Sequence, residues 1–178
     1  MTRIGNEIQG PSAYFESPPN VLRQYKKASL DTFQPTDSNT LSSAMVATAE
    51  LSVITYTPSA HSMAHWAIYL RIVEGNEIQH LIYQANGDEG ELELDIREAD
   101  PKASSRFRGL INVSDIDDQD TIAQVKETLE RQPMQNTIPS WNCQDWVMEA
   151  LEALNDEMLL DEYQYQEAKD TLENLFHD

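Results

Sequence analysis

Residues 65–85, HWAIYLRIVEGNEIQHLIYQA, set the architecture of this chain. Two β-rich runs, HWAIYLRIV (65–73) and IQHLIYQA (78–85), flank the turn EGNE (74–77) with Gly75-Asn76 at its tip, which is the pattern of a β-hairpin. A two-residue turn there pairs Glu74 with Glu77, and the register that follows sets His80 opposite Arg71 and Asn86 opposite His65. Alternation puts Trp66, Ile68, Leu70 and Ile72 on one face of the first strand and His65, Ala67, Tyr69 and Arg71 on the other.

Strand signals continue on both sides of the hairpin. ELSVITYT (50–57) is ended by Pro58, GELELDI (90–96) alternates charged and apolar residues, and FRGLINV (107–113) reads as a fifth strand. The period then becomes helical. Asp120 to Arg131 carries Ile122, Val125 and Leu129 on one face with Pro133 beyond its end, and helices follow over 142–155 and about 161–176. The last has a stripe of Tyr165, Ala168, Leu172, Leu175 and Phe176. Strands first and helices last predict an α+β domain over residues 46–178, an antiparallel sheet of four to five strands packed against helices. Residues 1–45 hold scattered apolar residues and four of the eight prolines within their first forty positions, and read as an N-terminal extension with one short helix around 19–29.

Composition narrows the function. The 178 residues carry 12 Lys+Arg against 31 Asp+Glu, a net charge of −19, which disfavours nucleic acid and anionic membrane surfaces as partners. No apolar run is long enough for a transmembrane segment, and the start lacks a secretory pattern, so a cytoplasmic protein is expected. The single cysteine, Cys143, excludes an internal disulfide and a cysteine-based zinc site. His61 and His65 have a spacing suited to a helix but lie by a strand start, and the acidic runs at 88–95 and 115–120 do not fit a calcium loop; no metal and no cofactor is expected.

Cys143 opens the clearest helix. Counting from it, Trp146, Val147, Ala150, Leu151 and Leu154 complete an amphipathic stripe, Ser140 or Asn142 can cap the start, and Pro139 precedes both. The thiol therefore sits in the first turn, where unpaired amides favour negative charge and a lowered thiol pKa is expected. Neighbouring amides would also stabilise the oxyanion formed when a thiolate attacks a carbonyl. The partner that chemistry needs is His65, first residue of its strand, with a helix expected to dock over that end of the sheet.

HWAIY, a following strand that contains HL, and then Asn142-Cys143 heading an amphipathic helix resemble the permuted papain-like thiol enzymes. The nearest match is to the lecithin:retinol acyltransferase and small phospholipid acyltransferase group, relatives of the NlpC-type hydrolases. As in that permuted group, the histidine strand precedes the cysteine helix, and the resemblance spans roughly residues 50–155. It implies a permuted papain-like fold with Cys143 as nucleophile, His65 as general base and a third polar residue orienting the imidazole.

Three residues compete for that third place. The HL motif selects His80, although the hairpin register sets it six residues from His65, roughly 20 Å along the strand. The register selects Gln84, one same-face step away, with Asn86 directly opposite. Trp141, ahead of the helix, and Tyr69, on the His65 face, are the expected substrate-binding residues. The acids around the cysteine (Asp145, Glu149, Glu152) and the polar end DTLENLFHD depart from the lipid-handling members. The expectation is a thiol hydrolase or acyltransferase acting on an amide or ester of a small-molecule or peptide substrate, amidase or peptidase first. The alternative is a binding or structural module that keeps the fold with Cys143 inert in the core.

Overall fold

A computed structural model describes residues 46–58 and 63–175. The chain divides into Met1–Leu41 and Ser42–Asp178, and every described residue lies in the second unit. The extension, its short helix, His61 and Phe176 lie outside the described residues.

The domain is α+β. Five strands, β1 (Thr48–Tyr56), β2 (His65–Glu74), β3 (Glu77–Asn86), β4 (Glu93–Glu98) and β5 (Phe107–Ile116), precede three helices, α1 (Gln119–Arg131), α2 (Cys143–Asp156) and α3 (Glu162–Leu175). All strand pairs are antiparallel, in the order β4-β3-β2-β1-β5. The hairpin register holds as the turn dictates: Glu74 faces Glu77 and Arg71 faces His80, with Gly75 supplying a φ of +60° at the tip.

One face of the sheet carries the main core. Leu51, Val53, Trp66, Ile68, Leu70 and Tyr83 meet Val125, Leu129, Trp146, Val147, Leu151, Leu154 and Leu172. The other face holds a smaller cluster of Ile54, Ala67, Tyr69 and Ile82, with Tyr56 and Phe107 against it. The α2 helix therefore packs on the Trp66 face of β2, with its first turn at the end of the sheet where His65 opens the strand. The reason is area. The Trp66–Ile72 row is wholly apolar and matches the α2 stripe, and burying it yields far more than covering His65 and Arg71 would.

The fourth strand begins three residues later than its alternation predicts, because two glycines at positive φ, Gly87 (+138°) and Gly90 (+81°), turn the chain first. A Cβ at Gly87 would stand 2.6 Å from the Glu91 carbonyl oxygen and 3.3 Å from Leu92 Cα. Both obstacles are backbone and cannot rotate away. Gly87→Ala is expected to lower stability by about 1–3 kcal/mol, read as a drop in the urea midpoint at unchanged slope.

Candidate active site

Cys143 is the first residue of α2, and the helix starts there for local reasons. Asn142 is extended and its side chain accepts from the Gln144 amide (2.8 Å), while Asp145 accepts from the Asn142 amide (2.9 Å), a complete capping box. Asn142, not Ser140, is the cap. Just upstream Ser140 holds a left-handed φ of +66°, which turns the chain into the helix.

One hydrogen bond fastens this helix end to the start of β2. Gln144 Nε2 donates to the Ala64 carbonyl (2.9 Å), while the Trp66 amide acts on the Cys143 sulfur to lower its pKa. His65 lies between Ala64 and Trp66. Cys143 and His65 line one open cavity of about 950 Å³, together with Tyr56, Gln84, Arg97 and Trp141. Although α2 packs on the face of the sheet opposite the imidazole, Cys143 and His65 are each the first residue of their element, and both border this cavity at the end of β2.

The imidazole is held on one side. Its Nε2 lies 2.8 Å from Gln84 Oε1, and the ring sits against Tyr56 at 5.8 Å between centroids. A carbonyl oxygen only accepts, so Nε2 carries the proton of the neutral ring and Nδ1 keeps its lone pair. Gln84 is 6% exposed, and its other end donates to Asp95 Oδ2 at 2.9 Å, so both ends of the buried amide are satisfied.

Of the alternatives for the third residue, Gln84 is the one whose side chain meets His65. His80 is elsewhere: its Nδ1 pairs with the Tyr69 hydroxyl at 2.6 Å, opposite Arg71. Asn86 lines the cavity and turns its amide to Asp95 (3.4 Å). Tyr69 does not line the cavity. It is 4% exposed in the smaller cluster, since sharing a face with His65 still leaves it about 13 Å further along the strand. Trp141 is a cavity wall whose indole N–H donates to Glu149 (2.9 Å), which fixes the ring rather than leaving it free to follow a ligand.

The electrostatics depart from expectation at the sulfur. Burial raises the Cys143 pKa, and the amides of Trp66, Cys143 and Gln144 pull against it without prevailing. His65 is shifted the other way: burial lowers it, as do the charges of Arg106 and Arg97, against the Gln84 hydrogen bond and Asp95. Both shifts favour uncharged partners at neutral pH. Neither shift favours a preformed ion pair.

Reasoning from sequence missed Asp95, Arg97 and Gln144. Asp95 was visible only as a polar position of an alternating strand, and its pairing with Gln84 depends on a β3–β4 register that the Gly87–Leu92 turn does not encode. Among the described residues, no cluster of three or more His, Cys, Asp or Glu is arranged for a metal, and no helix is long and apolar enough to cross a membrane. No curated protein and no solved structure matches the chain. Residues 51–161, a span that includes His65, Gln84, Asp95 and Cys143, match DUF6540, and the chain belongs to that family of unknown function.

Proposed function

We propose that this protein is a cysteine-dependent hydrolase or acyltransferase of permuted papain-like architecture, acting on an amide or ester, with amidase or peptidase chemistry first. The observation that carries the reading is that Cys143 and His65, each the first residue of its element, line one cavity, with Gln144 tying α2 to Ala64 next to the histidine and Gln84 occupying the histidine's Nε2. As the sulfur bonds to the substrate carbonyl carbon, its proton passes to His65 Nδ1. The resulting oxyanion faces the amide end of α2. Collapse breaks the bond to the amine or alcohol, which leaves with the proton from His65. Water or an acceptor alcohol then gives its proton to Nδ1 and attacks the thioester, releasing product and restoring the thiol.

Incubation with p-nitrophenyl acetate tests this directly. Intact-mass spectra are expected to show one acetyl group on native protein, carried by Cys143 and absent from Cys143→Ala; unmodified native protein would contradict the proposal. The pH dependence follows from the two shifts. A base with a lowered pKa stays deprotonated into acid, so acylation is expected to hold constant through neutrality and fall only below pH 6.5, the ordinary imidazole value.

A second reading has its own support. Cys143 is only 7% exposed, in contact with the core cluster, which suits an inert residue in a binding module that keeps the fold. Under that reading the native thiol stays unmodified by the ester and becomes accessible only on unfolding.

A further inference from the structure

Building on the thiol-enzyme reading, we infer that Asp95 is a positioning residue that sets, through Gln84, which nitrogen of His65 is free to act as base. The chain of contacts runs from Arg97, whose Nε (2.8 Å) and Nη2 (2.6 Å) both meet Asp95 Oδ2, to Gln84 Nε2 on that same oxygen (2.9 Å), and from Gln84 Oε1 to His65 Nε2 (2.8 Å).

Each step has a fixed polarity. Arg97 keeps the Asp95 carboxyl below the usual carboxylate range, so it is ionised and only accepts. Gln84 must then turn its NH₂ toward Asp95 and its carbonyl toward His65. An amide is nearly symmetric in shape, and nothing but its hydrogen-bond partners chooses between its two orientations. Removing the carboxylate removes the choice. A flipped Gln84 would donate to Nε2, force the ring proton onto Nδ1, and leave no lone pair for the thiol proton. Asp95 does not itself line the cavity, and the hydrogen-bonded path from it to His65 runs through the Gln84 amide.

The test reads the tautomer itself. Two-bond ¹H–¹⁵N correlation spectra of the full chain at pH 7.5, with His65 assigned by its absence from His65→Ala, are expected to place the proton on Nε2. Asp95→Asn should keep that pattern, because an amide oxygen can occupy the Oδ2 position and accept the same bonds. Asp95→Ala should move a substantial fraction of His65 to the Nδ1–H form. A native spectrum with the proton on Nδ1 would overturn the inference without any variant, as would an Asp95→Ala spectrum unchanged from native. Failure of the thiol-enzyme reading looks different: the tautomer moves in Asp95→Ala, but iodoacetamide labels Cys143 at the same rate in native protein and in His65→Ala. That outcome upholds the positioning chain and removes only the catalysis.

Discussion

Replacing Cys143 by alanine is expected to reduce acyl transfer from an activated ester roughly 10⁴- to 10⁶-fold, to the background of the solvent reaction. Among the described residues of the cavity, no other thiol can substitute. Cys143 is the only cysteine of the chain. Ser140 and Ser104 line the same cavity, but the side-chain hydrogen bond of the imidazole goes to Gln84. The structural cost should be small by comparison. The helix start is made by Asn142 and Asp145, and Gln144 still holds Ala64, so losing one buried sulfur costs about 1 kcal/mol. Unchanged circular dichroism with activity at background would separate the chemical role from the packing role. Retained activity in Cys143→Ala would place the chemistry elsewhere.

Replacing His65 by alanine is expected to cost the next largest factor, roughly 10²- to 10⁴-fold in the same assay. With burial raising the thiol pKa, little thiolate exists at neutral pH, so a base must remove the proton during attack. The variant should be rescued in part by raising the pH, since hydroxide then does what the imidazole did. Stability should change little. His65 is only partly buried and sits at the first position of β2, beyond the main cluster of the sheet. Gln84 would lose one partner and keep Asp95. A loss equal in His65→Ala and in a variant that merely loosens the β2 start would count against the base.

Much of this architecture is legible in the chain before any coordinates. The turn at Gly75-Asn76 has two residues, so the hairpin register follows from it, and the register brings Gln84 rather than His80 to His65. The helix at Cys143 is equally readable, because its cap and its apolar stripe are local signals. What escapes is long-range. Whether α2 packs on the Trp66 face or the His65 face depends on the total apolar area of a sheet assembled from five separate segments. Tyr69 shares parity with His65, yet parity gives a face and not a distance. Asp95 acts through a strand pair joined by an irregular glycine turn. The direction of the Cys143 shift is a balance between burial and amides, and burial exists only once the core has formed.

The coupling of Cys143 to His65 is tested most directly by the rate of Cys143 alkylation with iodoacetamide as a function of pH, in native protein and in His65→Ala. The native rate should be flat through neutrality and decline only below pH 6.5, reporting the imidazole. In His65→Ala that limb should vanish, and reactivity should appear only in alkali, beyond the ordinary thiol value of about 8.5, as the unassisted buried thiol ionises. Superimposable profiles for the two proteins would contradict the account.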